Sequence, residues 1–225
     1  MIAGDIAVAI PRRRLDWSAA ARIVSGRLRP QAVFEGVARP EDMEAVLEIL
    51  SAGRVRISAA ELPAPAAGVS YVLAPFLTPR ASRFSDGTFG VLYAASSAAV
   101  ARAEAGFHLA RFMAATAEPP QPLLLHLLRL AIRGGSFADV GTVAKRYPEL
   151  LDPDPASYAR PQAAGAALRA AGADGVRYPS VRAPKGTCAG VFRPRCVQRC
   201  QLVARLTVEW TGDALGEWWE VRPLA

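Results

Sequence analysis

Between residues 40 and 53, in PEDMEAVLEILSAG, the apolar positions Met43, Val46, Leu47 and Leu50 recur at helical spacing. The acids fall in the first turn and Gly53 supplies a stop, so the pattern predicts an amphipathic helix. The stretch 15 to 30, LDWSAAARIVSGRLRP, also reads as helical and ends at a proline. A Pro/Ala loop at 62 to 67 precedes VSYVLAPF, which reads as a strand. TPRASRFSDGTFG is turn chemistry, and FGVLYAA after it is a short strand. Ser96 or Ser97 suits the cap of a following helix that runs to about Thr116. EPPQP at 118 to 122 breaks the chain, and the apolar run LLLHLLRLAI then fits a buried strand or a helix equally well. SYARPQAAGAALRAAGADG predicts a helix from about Arg160 with a glycine stop. GVFRPRCV and QLVARLTVEW read as strands, and TGDALG turns the chain into EWWEVR. No internal repeat or long linker appears. The expected organisation is one α+β domain over residues 18 to 225, preceded by an arm of residues 1 to 17 that contains PRRR.

Composition supports a folded domain. The chain has 225 residues, of which 52% are apolar, enough for a sizeable core. No apolar run approaches the roughly 20 residues a membrane span needs. The N-terminal charges follow a short apolar stretch, the reverse of a secretory signal, so the sequence reads as soluble and cytoplasmic, with no membrane partner. Cys188, Cys196 and Cys200 form no CxxC pair, and the histidines are only His108 and His126. Zinc ligands normally arrive in close pairs, so no metal is expected, and reduced, partly buried thiols are the better reading.

Charge adds a direction. The net charge is +7, and residues 177 to 205 hold seven basic residues and no acidic one. Such a run attracts a polyanion, an anionic small molecule or an acidic protein, or is simply a solvated face. It lacks a recognition helix, so direct DNA reading is not expected.

The candidate chemistry lies in RFSDGTFGVLYAASSAAVARAEAGFH, residues 83 to 108, which spaces Arg83, Tyr93 and Glu104 over a turn, a strand and a helix. On a helical wheel Val100, Glu104, Phe107 and Arg111 share one narrow face, with Arg102 on the other side. Glu104 therefore borders the apolar stripe, where a carboxylate needs a partner. Taken singly, the residues read blandly: Glu104 in a helix-face ion pair with His108 or Arg111, Tyr93 in a strand core, Arg83 on a loop. Taken together, they suit cleavage of the nicotinamide–ribose bond of NAD. That reaction expels a neutral leaving group through an oxocarbenium-like transition state, so one carboxylate helps by charge and by a hydrogen bond to a ribose hydroxyl. An aromatic ring can stack on nicotinamide, and an arginine can fork onto the diphosphate. Other motifs fall away. Ser180, in YPSVR, has no GxSxG elbow, and FSDGTFG lacks the Gly-Lys-Ser/Thr ending of a phosphate loop. Arg182 and Lys185 either help to bind an anion or are solvated.

These blocks carry a resemblance. SRFSDGTFGVLYAASS followed by AEAGFH resembles the first block of the RES-domain family, toxins of bacterial toxin–antitoxin modules named for Arg, Glu and Ser. AAGADGVRYPSVRAPKGTCAGVFRP, residues 170 to 194, resembles the second, and the likeness extends over roughly residues 20 to 200. It implies an ADP-ribosyltransferase-like fold of two small packed β-sheets with surrounding helices and an NAD cleft. It implies NAD as the substrate, with Glu104, Arg83 and Tyr93 as catalytic residues. Arg83, Tyr93, Ser180 and His108 would bind the dinucleotide, with His108 standing beside Glu104. It further implies a cognate antitoxin with an Xre-like helix-turn-helix domain that occludes the site, DNA contact only through that antitoxin, and growth arrest. ADP-ribose would pass to a protein target, such as an enzyme of nucleotide metabolism, or NAD would be depleted by hydrolysis or phosphorolysis. Many ADP-ribosyltransferases place a second Glu or Gln two residues before the catalytic glutamate. Arg102 stands there, which weakens the case for a protein acceptor. The other class left open is a basic, non-catalytic binding module.

Overall fold

The structure, a computed structural model, describes residues 9–26, 61 and 68–221. The helix expected at 40 to 53 and the loop at 62 to 67 lie outside them. The strands are β1 (Arg12–Ser25), β2 (Leu92–Ala95), β3 (Gln121–Asp139), β4 (Gly175–Pro179), β5 (Thr187–Val191), β6 (Val197–Trp210) and β7 (Leu215–Val221). The described helices are α1 (Val69–Leu77), α2 (Ala98–Ala115) and α3 (Ala159–Ala170).

The fold is mixed α+β around one seven-stranded network in the order β1-β2-β5-β4-β3-β6-β7. An additional β1–β3 ladder closes β1, β2, β5, β4 and β3 into a ring, from which β6 and β7 continue. The two separate sheets expected from the sequence are therefore one hydrogen-bonded network. The reason is the length of β3. Residues from Gln121 to Ile132 pair with β6, residues 137 to 139 pair with β4, and the opposite edge is lined by β1. The weakest link in the ring is β1–β2, a single registered pair, Ala21 with Ala95.

β3 explains why its apolar run had no readable period. Leu123 and Leu125 pack with Met113 of α2 and with Leu206, Val208 and Trp210. Three residues on, Leu128, Leu130 and Ile132 turn the other face of the strand to Val72, Phe76, Leu92 and Val191. One strand thus buries each face in turn, and the pattern fills in.

Two elements differ from the sequence reading. Residues 15 to 25 belong to β1, not to a helix. Ala20 and Ala21 are both buried, in two different clusters on opposite faces of the strand, so small residues stand where a one-faced strand would alternate. Tertiary pairing along β3 overrides the local helix propensity of the alanines. The strand also begins at Arg12, inside the stretch that reads as an arm. Conversely, VSYVLAPF is helix α1, which buries Val72, Leu73 and Phe76 at helical spacing and contains Pro75.

The other helices follow their signals. Ser97 caps α2, its hydroxyl accepting from the Val100 N–H at 3.3 Å. α3 ends before Gly172, whose φ of +82° suits the left-handed turn. A Cβ on Gly165 of α3 would come within 2.1 Å of the Phe84 carbonyl oxygen. Only glycine lets the helix lie directly against the loop that carries Arg83.

Candidate active site

Where β1 and β2 part after their single registered pair, a cavity of about 620 Å3 opens, roofed by α2. That volume suits a small-molecule site. Arg83, Tyr93, Glu104 and His108 all line it, joined by Arg22, Tyr158, Gln162, Tyr178 and Cys188.

The even spacing of arginine, tyrosine and glutamate has a structural cause. Partly buried Tyr93 reaches back from β2 to the turn before it. Its hydroxyl donates to Ser82 Oγ and accepts from the Phe84 N–H, both at 3.0 Å. It therefore grips the residues on either side of Arg83. Burial pushes the phenol up to about 12, so it stays protonated and keeps donating. Gln162 of α3 holds the same turn by donating to the Ser82 carbonyl at 3.0 Å.

Arg83 itself is only 6% exposed. Its Nη1 donates to the carbonyls of Asp152 at 2.7 Å and Leu150 at 3.4 Å, and its Nη2 to the Tyr158 hydroxyl at 3.1 Å. The guanidinium also lies 4.5 Å from the centre of the Tyr158 ring. No carboxylate pairs with it among the described residues. Much of its fork is engaged by the 150–158 segment.

A second cation lines the same cavity. Arg22, on β1, donates from Nη1 to the Tyr93 carbonyl at 2.6 Å and so bridges the strands where their ladder stops. Its Nε is buried without a hydrogen-bond partner among the described residues. Burial lowers the guanidinium to about 10, against the opposing pull of Cys200 and Tyr93, and leaves it charged at neutral pH. The sequence reading missed Arg22 because it placed the residue on a helix.

Glu104 faces away from the ion pairs expected of it. Among the described residues it makes no salt bridge with His108 or Arg111. Its Oε1 accepts instead from Ser180 Oγ at 2.6 Å and lies 3.6 Å from the Cys188 thiol. Ser180 is oriented by its own partners, since its oxygen accepts from the N–H groups of Arg182 at 3.1 Å and Ala183 at 2.9 Å. With its lone pairs so engaged, the hydroxyl has its one proton to give to Glu104. Ser180 thus stands behind Glu104 and is not among the residues that line the cavity. Glu104 Oε2 has no hydrogen-bond partner among the described residues.

His108 stands at the exposed rim, one turn along α2. Partial burial of its ring lowers its pKa. Glu104 opposes this, and the arginines Arg182, Arg83 and Arg111 reinforce it. Arg182 does not line the cavity. It rests 3.3 Å from the centre of the Phe107 ring and donates to the Pro153 carbonyl, strapping its loop to the 150–158 segment. Lys185 lies on an adjacent turn with a φ of +63° and is likewise off the wall. All three cysteines are buried. No group of three or more His, Cys, Asp or Glu among the described residues is placed to hold a metal, and no described helix is long and apolar enough to cross a membrane.

The RES-domain family model matches residues 54–211, more than half of the chain, and this span contains Arg83, Tyr93, Glu104, Ser180 and Cys188. The chain belongs to the RES-domain family. Arg22 lies N-terminal to the matched span. An uncharacterized protein of Sinorhizobium fredii, y4oC, is 29% identical over 204 residues, covering 86% of this chain and 84% of the relative. Among solved structures, a chain of the M. tuberculosis MbcT–MbcA toxin–antitoxin complex aligns over 93% of this chain and 92% of its own length. The identity there is 13% and the TM-score 0.48.

Proposed function

We propose that this RES-domain chain is the toxin of a toxin–antitoxin pair and cleaves the nicotinamide–ribose bond of NAD. The observation that carries the reading is one cavity lined by groups of both signs: a carboxylate held by neutral donors, and two guanidiniums, Arg22 and Arg83, with no carboxylate partner among the described residues. A dinucleotide with a cationic nicotinamide and an anionic diphosphate carries both signs as well.

In this reading Glu104 Oε2 accepts from a ribose hydroxyl and stabilises positive charge growing at C1′. The C1′–N bond breaks, and its electron pair leaves with neutral nicotinamide. A water, phosphate or protein oxygen or nitrogen then bonds to C1′, and its proton passes to solvent. Arg22 meets the diphosphate, while Arg83 contributes field and holds the wall. Transfer to a protein target and loss of NAD to water or phosphate share every step up to the acceptor. A cognate antitoxin, with the Xre-like domain that family membership suggests, would cover the mouth near His108 and the exposed Phe112 one turn on.

Purified protein incubated with NAD should release nicotinamide. Parallel reactions with phosphate, and with labelled NAD plus cell extract, separate phosphorolysis and protein transfer from hydrolysis. Absence of nicotinamide under all three conditions would overturn the reading in favour of a non-catalytic binding module.

A further inference from the structure

Glu104 Oε1 faces two donors and Oε2 none. The second donor, Cys188, has no role in NAD cleavage as proposed, and only the kinetic arm of its test rests on that proposal. Cys188 lies on β5, registered against Tyr178 of β4 on one side and Ala95 of β2 on the other. Its side chain is 2% exposed and shares the cluster that includes Val100 and Ala101 of α2. The strand therefore fixes the thiol under the helix turn that carries Glu104.

We propose that Cys188 is a positioning residue whose S–H, together with the Ser180 hydroxyl, holds Glu104 Oε1 and so aims Oε2 into the cavity. Burial and the neighbouring Glu104 push the thiol up to about 12. It is thus protonated across the working range and is a permanent, neutral donor in place of a nucleophile. Two neutral donors on one oxygen orient the carboxylate without neutralising it. A lysine or arginine in the same place would quench the negative charge that an oxocarbenium-like state needs.

The test separates donor from filler. Cys188→Val keeps the bulk and removes the proton; Cys188→Ser keeps a donor and gives up bulk. If the thiol orients Glu104, the valine variant loses about three- to tenfold in kcat, the size of one hydrogen bond expressed as a rate. Its KM for NAD stays within about twofold, because the diphosphate contacts are untouched. The serine variant should stay near wild type in rate, though less stable.

The orientation of the Glu104 carboxylate in crystals of the variants without substrate gives a readout independent of turnover. A carboxylate swung off its wild-type position in Cys188→Val, and little moved in Cys188→Ser, is expected whether or not NAD is cleaved. A wild type inert towards NAD would defeat the catalytic reading alone. A folded Cys188→Val whose Glu104 side chain keeps its wild-type orientation would overturn the positioning role. So would a pattern in which only Cys188→Ser is impaired, the mark of a residue that merely fills space.

Discussion

The acid and the guanidiniums of the cavity are held on opposite principles. Glu104 reaches out from α2 and is met by side chains, the Ser180 hydroxyl and the Cys188 thiol, from elements far along the chain. Arg83 and Arg22 are met by main-chain carbonyls, those of Asp152, Leu150 and Tyr93. Neutral donors leave a carboxylate its charge, and carbonyl acceptors leave a guanidinium its charge. The two sets thus keep charges of opposite sign, which a mutual ion pair would have cancelled. The difference lies in what each group supports. The donors around Glu104 serve that carboxylate, whereas Arg83 anchors a loop and Arg22 spans a gap between strands. Loss of function and loss of fold should therefore separate at the acid and merge at the buried arginine of the turn.

The largest effect tests the acid. Glu104→Gln is isosteric, and its amide oxygen can still accept from Ser180. The melting temperature should hold, while nicotinamide release falls by about two to three decades, the usual scale for removing an electrostatic stabiliser of a developing charge. A variant with lowered stability but wild-type turnover per folded molecule would reverse the assignment. Among the guanidiniums, Arg83→Ala strands the Asp152 and Leu150 carbonyls and the Tyr158 hydroxyl. A stability loss of about 2–4 kcal/mol should accompany any loss of activity, read by denaturant unfolding. Arg22→Lys keeps a charge but cannot both bridge to the Tyr93 carbonyl and face a diphosphate. Its KM for NAD should rise about tenfold with a smaller change in kcat. If Arg83→Ala left stability intact and raised only KM, the roles given to the two arginines would have to be exchanged.

How much of this was readable beforehand follows the same division. α2 was legible because its cap, length and apolar stripe are local, and Glu104 came with it. Tyr93 and Arg83 were legible as a spaced pair, although the link between them runs through the tyrosine hydroxyl and not through a shared ligand. Ser180 came only through family resemblance. Cys188 gave no signal as a partner of Glu104, because the two meet across 84 positions of sequence through strand pairing that no local pattern encodes. Arg22 was hidden by an alanine-rich stretch whose helix propensity loses to a long ladder with β3, and β3 itself was ambiguous because it buries first one face and then the other.

Tyr93 gives a middle-sized test of the link between the acid and the guanidiniums. Tyr93→Phe keeps the ring on the cavity wall and removes both hydroxyl contacts, leaving the Phe84 N–H and Ser82 Oγ short of a partner. About 1–3 kcal/mol of stability should be lost, with a few-fold fall in nicotinamide release as the Arg83 turn loosens. Stability and activity both at wild-type level would show that stacking alone explains the tyrosine.

His108 supplies the smallest and most direct gauge, because it stands at the rim within reach of the acid and of the arginines. Its pKa lies below the ordinary value of about 6.5, with partial burial the main cause, Glu104 pulling upward, and Arg182, Arg83 and Arg111 pulling downward. The unfolded chain therefore binds a proton at this site that the folded chain refuses. Stability from this group is fully present above about pH 6.5 and declines as pH falls from there towards the lowered folded value. Because the ring is exposed, that decline should be shallow, and a proton NMR titration of His108 reads the balance better than melting does. Glu104→Gln removes the upward pull and should lower the value further, whereas Arg182→Ala should raise it. Opposite displacements would confirm that two fields of opposite sign meet at this helix turn. An unmoved titration in Glu104→Gln would mean that Ser180 and Cys188 absorb the carboxylate's field before it reaches the helix turn of His108.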